Sequence, residues 1–146
     1  MKYFSLTVCL LSLLLLTGCV SRQQADAMLE RGCAAGVNAL MKDGRKIGKV
    51  LDTGFQVSPE GQGFRHVDLT VTLADDWLES KNHYDCVFEE SFGFLNMNYT
   101  ASIYQIRIGS DVYGKAGGQI LGTAEDFIKL TDAIRAAMYG NDNTGK

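Results

Sequence analysis

The chain has 146 residues, 46% hydrophobic and 21% charged, with 14 basic and 17 acidic side chains and a formal net charge of −3. That length is one domain's worth, with enough chain to bury a core and no comfortable room for a second. The acidic balance argues against a nucleic-acid partner, which would call for a basic surface.

Residues 1–19 have the layout of an export signal. Lys2 gives a short positive start, Tyr3 to Leu16 an almost unbroken apolar run rich in leucine, and Thr17-Gly18 the small residues a peptidase needs. The apolar run is about 14 residues, short of the roughly 20 that cross a bilayer as a helix. Leu16-Thr17-Gly18-Cys19 resembles the lipobox of bacterial lipoproteins, in which the cysteine is thioether-linked to diacylglycerol, becomes residue one on cleavage and is acylated on its new amine. The resemblance implies a cleaved signal peptide over 1–18 and a lipidated Cys19, including an amide-linked chain such as palmitate. The lipid would make the membrane itself a partner, and because only Val20 and Ser21 separate Cys19 from a helical pattern the tether is short, over 19–21. At about 0.8 kcal/mol for each buried methylene, three acyl chains hold such a protein to a leaflet almost permanently. Val20 stands where enterobacterial lipoproteins retained at the inner membrane usually carry aspartate. The expected location is therefore the periplasmic face of the outer membrane.

Removal of residues 1–18 leaves 128 residues and takes away one charge, Lys2, so 13 basic side chains face 17 acidic ones. The basic residues Lys42, Arg45, Lys46 and Lys49 gather around a turn and read as its solvated surface. Cys9 leaves with the signal and Cys19 takes the lipid, which leaves Cys33 and Cys86 as a pair in an oxidising compartment. A disulfide between them is expected. A metal-binding or redox-active pair would need closely spaced thiols.

In chain order, Ala25, Met28, Leu29, Cys33, Gly36, Val37, Leu40 and Met41 recur at helical spacing, which predicts a first helix stopped by Lys42-Asp43-Gly44. Gly32 and Gly36 within it point to close approach of a neighbouring backbone. Ile47, Leu51, Phe55 and Val57 mark a first strand, ended by the Ser58–Gly63 loop. Val67, Leu69, Val71 and Leu73 alternate with His66, Asp68, Thr70 and Thr72 in a second strand with one wet side. An acidic connection, Ala74 to Asn82, contains Trp77, the only tryptophan. A third strand points Tyr84, Cys86 and Phe88 inward, placing Cys86 on the side that the first helix covers with Cys33. A turn at Phe92–Asn96 leads to a fourth strand over Asn98 to Ile108, whose apolar phase shifts between Ile103 and Tyr104 as a bulge would make it. Asp111 to Gly122 reads as a flexible glycine-rich connection. Thr123 with Asp126 then caps a last helix carrying Phe127, Leu130, Ile134, Ala137 and Met138 inward and ending at Gly140.

The expected fold is α+β: helix, a four-stranded mainly antiparallel meander, helix, with both helices on one sheet face. The domain covers 22–140, followed by a disordered tail at 141–146.

His66, Asp68, His83 and Asp85 share the wet face and invite a metal site. A hairpin pairing Leu73 with Tyr84 and His66 with Ser91 would part the histidines by roughly 26 Å, at 3.3 Å per residue, so no metal site is expected. The same register would make Asp68 and Glu89 neighbours. No Gly-x-Ser-x-Gly occurs, and Gly114-Lys115-Ala116-Gly117-Gly118-Gln119 lacks the lysine placement of a phosphate loop. No catalytic residue and no cofactor is expected, and the chain reads as a non-enzyme. Phe92, Phe94, Leu95 and Met97 crowd one turn with more apolar surface than a solvated hairpin requires. Either that turn folds under the core or it meets a partner. Trp77, Phe92, Phe94 and Leu95 are the candidate partner-binding residues.

The functional expectation is a lipid-anchored binding or assembly module of the cell envelope with an envelope protein as partner. The alternative is an inhibitor of, or immunity protein against, a wall-degrading enzyme, docking through the acidic Asp75 to Glu90 region.

Overall fold

The computed structural model describes residues 19–42, 44–74 and 80–140. Helix α1 spans Arg22–Leu40. Ser21 caps it: the Gln24 N–H donates to the Ser21 hydroxyl and the Ser21 N–H donates to Oε1 of Gln24, at 3.2 and 2.9 Å. The helix ends at Leu40, earlier than the lysine and glycine signals place it, because Met41 is already extended. Strands β1 (Ile47–Val57), β2 (Phe64–Leu73), β3 (Asn82–Phe92), β4 (Tyr99–Ile108), β5 (Asp111–Ala116) and β6 (Gln119–Leu121) follow, and helix α2 (Ala124–Tyr139) closes the chain. Thr123 and Asp126 form the cap of α2, as their spacing predicts.

The strands pair antiparallel in sequence order, so the α+β class and the meander stand, with six strands in place of four. The extra pair comes from the glycine-rich stretch that reads as a flexible connection. Gly117 and Gly118 take φ of 54° and 81°, the left-handed pair that a two-residue hairpin turn demands. Gly114 sits in β5 at φ 114°, where an added Cβ would collide with the Tyr104 carbonyl oxygen of β4. The glycines therefore serve strand pairing.

One face of the sheet carries the core. Val67, Leu69 and Val71 of β2, with Cys86 and Phe88 of β3 and Ile106 of β4, are fully buried against the α1 stripe of Ala25, Leu29, Cys33 and Val37. Leu130, Ile134 and Met138 of α2 join the same cluster, which puts both helices on one side. Cys33 and Cys86 are bonded, with Cα atoms 5.8 Å apart, stapling α1 to β3. Gly32 and Gly36 face α2 side chains, Met138 and Leu130 respectively, with no space for a methyl group. The close approach is thus to side chains of the second helix, where the sequence pointed to a backbone.

Two strands depart from simple alternation. The β3–β4 register shifts between Val87 and Phe88, leaving Tyr104 as the extra residue, which is the bulge the phase of β4 predicts. In β1 two register shifts bring Val50 toward the core and leave Leu51 exposed; Ile47 and Phe55 pack on the core as first read, while Val57 at the end of the strand is exposed. Bulges and charges on this edge strand, such as Lys49 and Asp52, also blunt it against pairing with other chains. β4 pairs with β5 only from Gln105 onward. Beside its open stretch the Tyr139 hydroxyl accepts from the Ala101 N–H at 2.9 Å and donates to the Ala101 carbonyl at 3.2 Å.

Candidate functional site

At one end of the sheet the start of α1 meets the turn between β3 and β4. The Val20 N–H donates to the Asn96 carbonyl at 3.0 Å, and Sγ of Cys19 lies 3.5 Å from the Leu95 carbonyl oxygen. Val20 is half-buried against the core cluster. Residues 19 and 20 are therefore fastened to the turn. The turn itself is a short 3-10 segment, Phe94–Asn96, in which Leu95 and Asn96 adopt φ of 53° and 57°. Left-handed backbone is unfavourable for a leucine. It presents Phe94, Leu95 and Met97 to solvent, 81%, 68% and 55% exposed. Phe92 behaves differently: it is half-buried, its ring 4.9 Å from that of Tyr99.

A set of charges braces this junction. Arg22 grips Glu90 with both terminal nitrogens, at 2.7 and 2.8 Å, while the Tyr99 hydroxyl donates to Glu90 at 2.9 Å. Asp26, one turn along α1, accepts from Arg65 of β2 at 3.2 and 2.9 Å and pairs with Arg22. The Arg22 guanidinium also lies over the Phe92 ring, 5.0 Å from its centroid. Burial pushes the Glu90 carboxyl up, but the hydrogen bonds from Arg22 and Tyr99 and the charges of Arg22 and Arg65 outweigh it and hold the group below its ordinary range. The Tyr99 phenol moves the other way, raised by burial, by its bond to Glu90 and by that carboxylate's charge. Both effects favour the arrangement seen, a charged Glu90 accepting from a protonated Tyr99.

The second polar cluster lies on the open face of the sheet. Asp68 and Asp85 are cross-strand partners, and Nε2 of His66 lies 3.4 Å from one and 3.5 Å from the other. Nε2 of Gln56 on β1 lies 3.3 Å from a carboxylate oxygen of Asp68 and 2.9 Å from Nδ1 of His66. A carboxylate accepts, so that Gln56 atom is a donor, Nδ1 is the acceptor and the histidine proton sits on Nε2, toward the two acids. The Asp68 carboxyl is raised by burial, by its hydrogen bond to Asp85 and by the Asp85 charge, against the pull of His66 and His83. Ligand-type atoms of His66, Asp68 and Asp85 lie within 4.8 Å of one another. A cationic side chain of a partner fits this chemistry, as does a divalent ion once the Nε2 proton is displaced.

This cluster corrects the register first expected. β3 is displaced by four residues, with Asp68 opposite Asp85 and His66 opposite Val87, where the sequence pointed to Leu73 beside Tyr84. An even slip keeps every side chain on its face and changes only its neighbours. His66 and His83 still stand roughly 13 Å apart along the ladder, at 3.3 Å per residue, so the two histidines do not share a site. Glu89, opposite Phe64, is equally remote from Asp68, and the acid pair is Asp68 with Asp85. His83 instead contacts the Thr70 hydroxyl at 3.1 Å.

Of the candidate partner-binding residues, Phe94 and Leu95 stand exposed beside Cys19, Phe92 packs inward, and Trp77 lies outside the described residues, as do residues 1–18, the acids Asp75, Asp76 and Glu79, and the tail 141–146. Phe92 and Phe94 are close in sequence, but only Phe92 is within reach of the Arg22 and Tyr99 brace. That brace escaped the sequence reading; the one local signal that could have pointed to it is the spacing of four between Arg22 and Asp26 on one helix face. A crevice of about 210 Å³ between α2 and the β4–β5 pair, lined by Ile103, Phe127, Ile134 and Tyr139 among others, falls below the roughly 300 Å³ at which small-molecule sites begin. Among the described residues no helix is long and apolar enough to cross a membrane. Comparison with known proteins finds no matching family model, no matching curated protein and no matching solved structure.

Proposed function

We propose that the chain is an exported lipoprotein, anchored through acylated Cys19 at the periplasmic face of the outer membrane, and that it works there as a non-enzymatic binding module of the envelope. The observation that carries this reading is the lipobox Leu16-Thr17-Gly18-Cys19, ending two residues before the Ser21 cap of the first helix. A lipidated cysteine so placed leaves no slack between membrane and domain. The bonded Cys33–Cys86 pair fits an oxidising compartment. The partner-facing surface in this reading is the open sheet face, whose polar side chains project from rigid strands.

The test is the mass of the protein recovered from separated inner and outer membrane fractions. Loss of residues 1–18 and a triacylated Cys19 in the outer-membrane fraction are expected, with Cys19→Ala releasing the protein from the membrane or leaving it as uncut precursor. A full-length, unacylated wild-type chain would sink the reading.

A second reading, inhibition of a basic wall-degrading enzyme, is favoured by the Asp68–Asp85 pair, two acids side by side that an incoming lysine or arginine would relieve. Assay of lysozymes and amidases with and without the purified protein separates it from an assembly role, and Asp68→Asn with Asp85→Asn abolishes inhibition if this reading holds.

A further inference from the structure

We propose that Phe94, Leu95 and Met97 form a wedge that enters the lipid leaflet beside the acyl anchor, so that the domain is held at one fixed orientation on the membrane. The proposal rests on the lipoprotein reading of Cys19 and adds a second, non-covalent membrane contact to it. The three side chains are among the most exposed large apolar groups among the described residues, and they fall within four residues of one another on a single turn. Exposure alone would leave the occupant of this patch open; its neighbour decides. Sγ of Cys19, the atom that would carry diacylglycerol, lies 3.5 Å from the Leu95 carbonyl, and the Val20 N–H is bonded to the next carbonyl, that of Asn96. In the lipidated chain the sulfur has no hydrogen to donate, so this distance reports position, and the Val20 bond holds it.

A patch that touches the root of the acyl chains lies at the surface those chains enter. A periplasmic protein covering it would have to occupy the space between the domain and its own membrane. The surroundings agree with lipid. A groove of about 530 Å³ opens from Cys19 over Val20, Ala27, Met28 and Met97, with Arg31, whose Nε donates to the Ala137 carbonyl at 3.5 Å, on its lining. The brace of Arg22, Glu90 and Tyr99 makes the turn and the start of α1 one body, so the wedge and the anchor cannot part. β4 runs from this end to the Gly109–Ser110 turn, roughly 30 Å away at 3.3 Å per residue. The far end of the sheet then points away from the leaflet.

The test uses the mature chain, Cys19 to Lys146, purified in its acylated form and reconstituted in phosphatidylethanolamine–phosphatidylglycerol vesicles with brominated acyl chains. Trp77→Phe removes the native tryptophan, and Phe94→Trp or Ser110→Trp supplies a single reporter at the near or the far end. Phe94→Trp is expected to lose most of its emission to the brominated lipid and to emit at shorter wavelength than in buffer, with Ser110→Trp unaffected. Equal quenching at the two positions, on protein whose mass shows an acylated Cys19, overturns the wedge and leaves the anchor standing. An unacylated Cys19 overturns both, and the mass alone reports it. A photoreactive benzoylphenylalanine at position 94 of the otherwise native chain, with Trp77 intact, gives an independent answer in cells. A phospholipid adduct supports the wedge, and a protein adduct without lipid refutes it.

Discussion

Breaking the Cys33–Cys86 bond tests how far the fold depends on its staple. The two cysteines are 53 positions apart, and both are fully buried, one in α1 and the other in β3. Closing a loop of that length removes entropy from the unfolded chain worth about 4 kcal/mol in the chain-entropy model. A domain of this size has about 5–15 kcal/mol in total, so the bond supplies a large share. With a urea slope of about 2 kcal/mol/M the loss moves the midpoint down by about 2 M. The cleanest comparison is the wild-type chain with and without a strong reductant, since the reduced form keeps both sulfurs in the core. The paired substitution Cys33→Ala with Cys86→Ala should lose somewhat more, because it also removes packed atoms. Far-UV circular dichroism in the absence of urea checks that the helices persist. A reduced chain whose midpoint falls within about 0.5 M of the oxidised one would refute the loop-entropy reasoning and shift the stability onto the packing of α1 against α2 and the sheet.

Three further outcomes follow from other parts of the molecule. Asp68→Asn should stabilise the fold at neutral pH by a few tenths of a kcal/mol, the scale of like charges directly opposite on a sheet. Because the folded Asp68 carboxyl is raised, the native state disfavours its charge only above the ordinary value of 3.8, so the gain must vanish as pH falls below it; a gain that persists there in thermal melts contradicts the assignment. Glu90→Gln should cost about 2 kcal/mol at pH 7, the range of hydrogen bonds to a charged group. Glu90 is depressed when folded, so its contribution is present above 4.5 and lost as pH drops through the folded value, and the wild-type and variant stabilities should converge in acid. Gly114→Ala meets backbone of Tyr104 and Gln105 at a φ of 114° and should cost about 3 kcal/mol, seen as early hydrogen exchange in β5 and β6; a neutral effect would mean that this hairpin is not packed as described.

What could be read from the sequence was whatever depends on periodicity. The α1 stripe, the alternation of β2 and the inward phase of Cys86 need only local spacing, and together they placed the disulfide. Pairing was harder because sheet register is set by the connections, and the ten residues between Val71 and Asn82 carry no tight-turn signature that would fix it. The face of every β2 and β3 side chain survived the four-residue slip, yet the identity of the acid pair did not. Glycine was misleading for a related reason. Gly117-Gly118 serves equally in a loose loop or a two-residue turn, and only the strands on either side, short and weakly alternating, decide between them. The brace at Arg22 joins residues up to 77 positions apart, from α1, β2, β3 and β4, and no local pattern announces such a set.

The two candidate surfaces divide the molecule by geometry. If the Phe94 turn enters the leaflet, the strands stand on the membrane by their ends, and the open sheet face rises from it as a wall. Asp85 lies seven residues before Phe92, the end of β3 that adjoins the turn, and Asp68 stands opposite it, which puts the pair roughly 23 Å from the turn at 3.3 Å per residue. That height is beyond a Debye length of about 8 Å from anionic headgroups at physiological salt, so the acids are not repelled by the leaflet beneath them. It also leaves them within reach of a protein moving close to the membrane. A fixed orientation therefore favours a partner approaching parallel to the bilayer and bearing a cationic group at that height. A domain free to tumble on a long tether would select no such height, and the seating of Val20 and Cys19 on the turn is what removes that freedom here.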